Sequence, residues 1–366
     1  MSNNKSIQLG LCCLNTQLRS QNPPIFASRK MIIRTIQEKG IDCLKEKIIQ
    51  NLKDILVMMD WNEENGIKVF RLSSELFPHK SNPKVSDYEF DFALDLLYKI
   101  GEKSKQYNQR LTFHPGQYNV IGSPNINTFY QTCADLKYHA DVLDLMKLDN
   151  NAIMVIHGGG VYGNKLETIK RWIKQYFQLP SNVKNRLVLE NCEKSYSITD
   201  CLEISNKTGI PVVFDTHHFE CYKLLHPEIK FLDPSEYIPD ILNTWKKKNI
   251  KPKFHVSEQG SGKTGHHSDF IEEIPSYLLE IPEKYNIEID IMIEAKMKEQ
   301  AIEKLYEKYP FLNCKIIENT NSTLNFHKPG IGWVNINCKD CDCCELPIKK
   351  KKKKKKKLVI KSSLYI

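Results

Sequence analysis

The chain has 366 residues, 41% of them hydrophobic, which is enough for one large α/β domain or for two average domains. No apolar run approaches the roughly 18 residues of a membrane-spanning helix, and the first residues lack the basic and then apolar layout of a signal peptide. We therefore expect an intracellular protein of the cytoplasm or nucleus, with no membrane partner. Its twelve cysteines are then expected to be reduced thiols.

The net charge of +9 is concentrated at the C-terminal end of the chain. Residues 349–366 contain ten lysines and no acidic residue, so residues 1–348 by themselves carry a net charge of −1. Residues 1–348, which are long enough to form a folded domain, are therefore not basic. If it binds nucleic acid, it must do so through local patches rather than through its overall field.

Short runs rich in Val, Ile and Leu recur along the chain and alternate with amphipathic stretches of helical period. These runs lie at residues 7–13, 67–73, 110–114, 152–157, 186–190, 212–218, 253–257 and 290–294. Continuous apolar strands that alternate with helices are typical of parallel strands buried on both faces. Eight such units predict a (β/α)8 barrel, with a doubly wound open sheet as the alternative.

Polar side chains at the ends of the predicted strands favour the barrel. They are His114, His157, Glu190, Asp215, His218, His255 and Glu294. A closed barrel brings the C-terminal ends of its strands to one rim, where barrel active sites lie. An open sheet would spread the same residues over roughly 25 Å, at about 4.8 Å per strand. We therefore predict a TIM barrel over residues 1–313.

The same residues predict a metal site. Each has an ordinary structural explanation by itself, such as a hydrogen-bonded histidine or a helix cap. Burying so many ionisable groups at one rim without a cation would be unfavourable, however, so a polynuclear metal centre explains them better. Imidazole and carboxylate ligands without cysteine suit Mn, Zn, Fe or Co, and sites with two or more such ions favour in-line displacement at phosphorus.

A lysine accompanies these ligands. Lys253 lies two residues before His255, so both side chains face the same side of their strand. A lysine at that position is either a phosphate contact or a chemically modified group. The segment GSGKTGHH (260–267) is close to a nucleotide-binding loop, but that motif requires glycine where Ser257 stands, so ATP binding is not expected.

Seven segments occur between about residues 7 and 312 in one order and spacing. They are FHPGQYNV, MVIHGGGVYGNK, LVLENCE, VFDTHH, KFHVSEQ, HHSDFI and MIEAKMKEQA. In these segments the chain resembles the ultraviolet damage endonucleases. The resemblance implies a monomeric TIM-barrel enzyme that acts on damaged double-stranded DNA. It cuts immediately 5′ to cyclobutane dimers and 6-4 products, and it uses up to three divalent ions, commonly Mn, with Zn, Co or Mg as other options.

The resemblance also implies roles for individual residues. The implied metal ligands are His114, His157, Glu190, Asp215, His218, His255, His267 and Glu294. Among these, Glu190 and Glu294 are also implied to be catalytic, together with Lys253, which matches a lysine that the family can carry in carboxylated form beside the metals. His267 is preferred to His266 because the family's ligand precedes a small residue and then an acid.

One ligand position departs from the family. Where its members often have a histidine after the second strand, this chain has Asn82, within FPHKSNP. His79, three residues earlier, is the alternative ligand, and an amide or water at this position is the other option. The third metal is therefore the implied ion whose ligands this chain matches least completely.

The turn after the third strand predicts contact with DNA. By resemblance, Gln117 and Tyr118 match the pair that the family inserts at the damaged step, where the crosslinked bases leave the stack. The alternative is a tyrosine that packs within its own loop. Asn15, just beyond the first strand, is also expected to approach the lesion, although an aromatic residue common in the family corresponds here to Leu11.

Residues 314–366 are predicted to be a disordered extension outside the barrel. They contain a cysteine cluster at 338–344 and nine consecutive lysines at 349–357. The cysteines are spaced more tightly than in zinc fingers, and the lysines are expected to add nonspecific nucleic-acid binding. The lysine run is equally consistent with expansion of a repeat.

Three other functions remain open at this point. A related barrel endonuclease that cuts at apurinic sites would have a similar ligand set. A sugar isomerase also gathers His, Glu and Asp around two divalent ions, but an exposed Gln-Tyr pair serves DNA and not a sugar. An inactive barrel that only binds damaged DNA is disfavoured by the nearly complete ligand set.

Overall fold

All eight predicted strands are present, and they close into one parallel barrel in chain order. They are β1 Ile7–Cys12, β2 Val69–Leu72, β3 Arg110–Phe113, β4 Met154–His157, β5 Leu187–Glu190, β6 Val212–Asp215, β7 Lys253–Val256 and β8 Ile289–Ile293. The structure is a computed structural model that describes residues 7–85 and 88–315. The predicted TIM barrel is confirmed, and the open sheet is excluded because β1 pairs with β8 through five residue pairs.

Helices connect the strands and cover the outside of the barrel. They are α1 Thr16–Arg19, α2 Ile33–Lys39, α3 Asp42–Glu64, α4 Leu94–Tyr107, α5 Ile126–Leu145, α6 Lys165–Tyr176, α7 Ser181–Arg186, α8 Ile198–Thr208, α9 Thr216–Leu225, α10 Pro234–Lys246, α11 Ser276–Leu279, α12 Ile281–Tyr285 and α13 Glu299–Lys308. Short 3₁₀ turns lie at Asp91–Ala93 and Pro310–Leu312.

The sixth strand is shorter than predicted. We expected a strand over 212–218, but β6 ends at Asp215 and α9 begins at Thr216. The Asp215 side chain accepts a hydrogen bond from the His218 backbone N–H at 2.7 Å and so caps the helix. A capping residue ends the strand because it commits the next backbone groups to helical hydrogen bonds.

Strand register aligns polar residues of neighbouring strands at the same height. His157 on β4 pairs with Glu190 on β5, and Asp215 on β6 pairs with His255 on β7. Because side chains alternate between the two faces of a strand, residues at one height point either into the barrel or toward the helices. The register therefore aligns four of the predicted ligands as two pairs, and Glu190 itself pairs with Val213 on β6.

Side chains from strands that are not neighbours meet through the inside of the barrel. Arg110 on β3 places Nη1 2.7 Å from Oδ2 of Asp290 on β8. Lys253 on β7 donates from Nζ to Thr112 Oγ1 on β3 at 3.0 Å. The interior is thus charged at several heights, while the alternate strand residues are apolar and pack against the helices, as fully buried Ile291 does.

Two remaining predictions concern membrane-spanning helices and the C-terminal extension. Among the helices of residues 7–85 and 88–315, none combines the length and apolarity needed to cross a membrane. Apart from Cys314 and Lys315, the predicted C-terminal extension, with its cysteine cluster and its lysine run, lies outside the residues that the structure describes. The domain boundary after residue 313 accordingly stays a prediction.

Candidate metal centre

Glu190 is the centre of the polar cluster at the C-terminal rim. It ends β5, and its carboxylate is buried. His255 Nδ1 lies 2.8 Å from Glu190 Oε1, and His114 Nε2 lies 3.0 Å from Oε2. His157 Nε2 and His218 Nδ1 follow at 3.6 and 3.7 Å from the carboxylate. Four histidines from four different elements therefore surround one buried acid.

The described residues contain three groups whose ligand atoms lie within 4.8 Å of one another. The groups are His114 with His157 and Glu190, Glu190 with Asp215 and His218, and Asp215 with His255 and Glu294. They share Glu190 and Asp215, so they form one continuous cluster. Seven of the eight predicted ligands belong to it, and the eighth, His267, places Nδ1 3.9 Å from Glu294 Oε2 at its edge.

Asn191 sets the positions of two of these ligands. Its Oδ1 accepts from the Asp215 backbone N–H at 2.9 Å, and its Nδ2 donates to the Asp215 carbonyl at 3.0 Å. Its own carbonyl oxygen lies 3.1 Å from His218 Nδ1. Asn191 thereby links the ends of β5 and β6.

Arg71 contacts the cluster but was not among the residues predicted from the sequence. It lies on the inward face of β2, and its Nη1 donates to Glu294 Oε1 on the other side of β1. Burial by itself would raise the pKa of Glu294, but Arg71 and His255 hold that pKa well below its usual range. A charged residue inside the apolar run IKVFRLS was the available signal, since only an inward partner makes such a residue favourable.

Burial and neighbouring charges shift the pKa values of the acids and histidines in the cluster. Burial raises the pKa of Asp215 to about 7, partly offset by His218, and Glu190 and Glu294 add to the increase. Burial lowers the pKa of His157 to about 4. For Glu190, burial acts to raise the pKa, but His255, His157 and His114 together lower it well below its ordinary value.

Three buried ligand atoms also lack a hydrogen-bond partner among residues 7–85 and 88–315. They are His157 Nδ1, Asp215 Oδ2 and His255 Nε2. Buried polar atoms of native proteins are normally satisfied, so unsatisfied atoms on residues of the same cluster need an explanation. Together with carboxylates from three strand ends, they fit a centre that holds divalent cations through nitrogen and oxygen.

Lys253 lies one layer below this cluster. The amine is fully buried and donates to Thr112 Oγ1 at 3.0 Å. Burial first, and then the neighbouring Arg71 and Arg110, lower its pKa to about 7. Burial and the two arginines therefore favour the neutral amine of Lys253 over its charged form.

The predicted DNA-probing pair lies on an exposed turn beside the cluster. Gln117 and Tyr118 lie in the turn that follows β3, and Tyr118 is 59% exposed. The tyrosine ring folds back over Gly116, where an added Cβ would come within 2.5 Å of it. Glycine is therefore required at 116 for the ring to take this position. The Tyr118 hydroxyl donates to Asp135 Oδ1 at 3.3 Å.

Asn15 occupies a different environment from this turn. It is fully buried, and its Oδ1 accepts from the Leu18 backbone N–H at 2.8 Å as the cap of α1. Its Nδ2 has no hydrogen-bond partner among the described residues. The structure therefore presents Asn15 as a helix cap beneath the rim rather than as an exposed side chain.

Asn82 and His79 are the two candidates for the ligand position at which this chain differs from the family, and both lie in the same groove as Tyr118. His79 places Nε2 2.7 Å from the Met31 carbonyl oxygen and belongs to none of the three ligand groups found in the described residues. Asn82 accepts a hydrogen bond from the Lys84 backbone N–H at 3.0 Å. Both residues and Tyr118 line a groove of about 640 Å³.

The fold and the site together define a class: a TIM-barrel protein with a candidate polynuclear metal centre at the C-terminal ends of its strands. Comparison with known proteins identifies the family within that class. The model of the family described as UV-endonuclease UvdE matches residues 7–327, and the chain belongs to this family. It is accordingly a UV-damage repair endonuclease, a nuclease of the hydrolase class whose substrate is DNA.

Individual relatives agree with this assignment. The UV-damage endonuclease of Schizosaccharomyces pombe is 39% identical over 316 residues, which are 84% of this chain and 51% of the relative, so the chain spans about half of that protein. The UV DNA damage endonuclease of Bacillus cereus strain B4264 is 34% identical over 288 residues, 77% of this chain and 87% of the relative.

Solved structures show the same relationship. The crystal structure of SacUVDE matches with a TM-score of 0.69 and 29% identity, over 86% of this chain and 99% of that one. Endonuclease IV from Thermus thermophilus, at 14% identity and a TM-score of 0.50, covers 70% of this chain and 94% of its own. At that identity it shows only that the fold is shared.

Proposed function

We propose that this chain hydrolyses the phosphodiester bond immediately 5′ to ultraviolet photoproducts in double-stranded DNA. The proposed photoproducts are cyclobutane dimers and 6-4 products, with abasic sites as additional substrates. One observation carries the proposal: three overlapping ligand groups, joined through Glu190 and Asp215, lie on the rim of a barrel that belongs to the UV-endonuclease family. The exposed Gln-Tyr turn beside this cluster supports DNA over a small sugar as the substrate.

The proposed ions are divalent, with Mn²⁺ first and Zn²⁺, Co²⁺ or Mg²⁺ as other options, and up to three are expected. The residues that would hold them are His114, His157, Glu190, Asp215, His218, His255, His267 and Glu294. Such ions lower the pKa of water so that it becomes a nucleophile near neutral pH, and they stabilise charge on the phosphate and the leaving oxygen. The mixed nitrogen and oxygen donors support this choice of metals.

The protein's own contribution is to fix the donors before substrate arrives. Glu190 is held by His114 and His255, and Arg71 on β2 orients Glu294, which follows β8 on the other side of β1. Asn191 fixes the ends of β5 and β6 relative to each other. Residues that hold ligands in this way raise metal affinity and activity because the ligands need not reorganise.

For Lys253 we propose a carboxylated side chain that extends toward the metals. The neutral amine favoured by its low pKa is the form whose nitrogen attacks the carbon of carbon dioxide, with loss of one proton. Its complete burial and its bond to Thr112 argue against the other role, direct contact with a DNA phosphate.

For Gln117 and Tyr118 we propose insertion into DNA at the damaged step. Their exposure supports this role, because an amide and a ring can replace the pairing and stacking lost when damaged bases turn out. Asn15 is buried as a helix cap, so its proposed contact with the lesion rests on the family resemblance and requires movement of its segment. Asn82 or His79 is the proposed place of a third, weaker ion.

The decisive experiment uses purified protein and an end-labelled duplex that carries one cyclobutane dimer. We expect Mn²⁺-dependent cutting at the bond just 5′ of the dimer, none with chelator, and none of an undamaged duplex. An abasic duplex and a 6-4 duplex measure the breadth of damage that is cut. Cutting of the abasic duplex alone would reassign the activity to apurinic sites, and no cutting of any duplex by metal-loaded protein would contradict an endonuclease function.

A further inference from the structure

One buried carboxylate joins the probing turn to a second loop of the rim. Asp135, on α5, is 1% exposed. Its Oδ1 accepts from Ser81 Oγ at 2.6 Å and from the Tyr118 hydroxyl at 3.3 Å, and its Oδ2 accepts from Asn119 Nδ2 at 2.7 Å. Ser81 lies in the loop between β2 and α4, next to Asn82. Two loops of the candidate active site therefore share one acid.

Other contacts of α5 hold the same turn. Asn119 closes it by donating from both its backbone N–H and its Nδ2 to the Gly116 carbonyl, each at 3.0 Å. Thr132 Oγ1 then accepts from the Val120 backbone N–H at 3.1 Å. The turn is thus fixed on its C-terminal side, while the Gln117 and Tyr118 side chains stay exposed to solvent.

The second loop is tied to α5 in the same way. Gln131 Nε2 donates to the Ser81 carbonyl at 2.6 Å, and the Tyr138 hydroxyl donates to the Ser74 carbonyl at 2.7 Å. His139 Nδ1 lies 2.8 Å from the Asp135 carbonyl. One face of α5 therefore forms a frame on which both loops are mounted.

The charge of Asp135 is not matched by a strong cation. Within residues 7–85 and 88–315, no lysine or arginine forms an ion pair with it, and His139 Nδ1 lies 3.6 Å from Oδ2. Burial lowers the pKa of His139, and its Nδ1 lies closer to the Asp135 carbonyl, at 2.8 Å, than to the carboxylate. The carboxylate instead depends on donors from the two loops. A buried acid that is satisfied by loop donors fixes the conformation of those loops, because losing them would leave it unpaired.

The three hydrogen bonds to the Asp135 carboxylate differ in length, and this difference is compatible with insertion of the Tyr118 ring into DNA. The bond to the Tyr118 hydroxyl is the longest of the three, and it must break if the ring enters the DNA. The shorter bonds to Ser81 and Asn119 can remain, so the carboxylate stays satisfied and the turn keeps its shape. A turn that is ordered before binding loses less conformational entropy on binding.

We infer that Asp135 is a positioning residue that pre-orders the Gln117–Tyr118 turn for recognition of damaged DNA. The inference rests on the proposed function of that turn. Asp135 touches neither the metal ligands nor the reacting phosphate, so its effect should appear in discrimination between damaged and undamaged DNA and in KM. The value of kcat at saturating DNA should change little.

The test compares Asp135→Asn with the wild type for binding to a dimer-containing duplex and to an undamaged duplex, under chelation so that no cutting occurs. We expect the ratio of the two affinities to fall roughly tenfold, the size of one charge-assisted hydrogen bond. The matched control is Asp141→Asn, which removes an acid from the same helix that contacts Lys137 and Asn182 rather than the loops. It should keep the wild-type ratio.

Further variants test the inference if Asp135→Asn does not fold, and they separate the contribution of Asn119 from that of the Tyr118 hydroxyl. If Asp135→Asn does not fold, Asn119→Ala removes one of its partners and should lower the ratio in the same direction. Where both variants fold, the double variant should be no worse than Asp135→Asn alone, since both break one unit. Tyr118→Phe keeps the ring and should stay within about twofold of the wild type, since only the weak hydroxyl bond is lost.

The outcomes are distinguishable from failure of the proposed function. A wild type that does not discriminate between the duplexes would contradict the probing role itself. A discriminating wild type with an unchanged ratio in folded Asp135→Asn, or in folded Asn119→Ala where that variant stands in for it, would overturn the positioning role. A fall in kcat with an unchanged KM and affinity ratio would also overturn it, because that pattern points to the metal centre.

Discussion

The two ends of the barrel both bury charge, but they balance it differently. At the N-terminal end, Asp290 is fully buried, with Arg110 2.7 Å from one carboxylate oxygen and Lys251 2.6 Å from the other. At the C-terminal end, Glu190 and Asp215 gather beside histidines whose buried ring atoms are left partly unpaired. The acid at the first end is paired with two basic residues of the protein, and the residues at the second end form groups that could hold metal ions.

This difference separates structural charge from functional charge in one interior. An acid with two basic partners is balanced in the folded chain, and losing one member leaves an uncompensated buried charge. The cluster of acids and imidazoles instead has buried ring and carboxylate atoms without hydrogen-bond partners among the described residues. Substitutions at the N-terminal end should therefore change stability, and substitutions at the C-terminal end should change metal binding and catalysis.

The largest effect is expected for Glu190→Gln. This change removes the charge shared by two of the ligand groups while keeping the shape of the side chain. We expect cutting of a dimer-containing duplex to fall at least about a hundredfold, because substitution of residues that only support metal ligands already lowers activity up to about that much. Bound metal, measured by mass spectrometry, should fall with it. Full activity with unchanged metal content would remove Glu190 from the centre.

Asp290→Asn tests the opposite end. The change leaves Arg110 and Lys251 without their buried acid, so the free energy of unfolding should fall by about 3 kcal/mol. Chemical denaturation measures this loss. The folded variant should keep the metal content and kcat of the wild type, which makes it the counterpart of Glu190→Gln. Lost metal with unchanged stability would invert the assignment of the two ends.

Metal removal should affect stability only through the C-terminal rim. Mn²⁺ at about a hundred times its Kd should stabilise the wild type by about 2.7 kcal/mol relative to chelated protein. The same increment is expected in Asp290→Asn, and a smaller one in Glu190→Gln. Thermal unfolding with and without chelator measures the increments. An equal increment in all three proteins would place the bound ions elsewhere.

The smallest effect is expected for Arg71→Lys. Lysine keeps the positive charge but loses the planar fork that orients Glu294, so kcat should fall roughly tenfold. Stability should change little, because the charge pair is retained. Denaturation and steady-state cutting assays separate the two quantities. A variant that loses stability and keeps its kcat would make Arg71 a structural residue like Arg110.

The eight strands and the ligand-bearing strand ends were predictable from the sequence. Apolar runs, helical periods and the position of a polar residue at the end of a run are local patterns, and the rim of a barrel follows from its topology. His114, His157 and Glu190 were therefore identified before any contact was known. The resemblance to a family added His267 and the role of the Gln-Tyr turn.

Only the tertiary structure decided which side chains meet across the interior. Arg71 contacts Glu294 over a separation of 223 residues, and Ser81 contacts Asp135 over 54. No periodicity relates such positions, because their contact depends on barrel closure and on the packing of α5 under two loops. The local sequence pattern therefore indicates which residues carry polar or ionisable groups at the strand ends. Which of these groups contact one another is determined only by the closed fold.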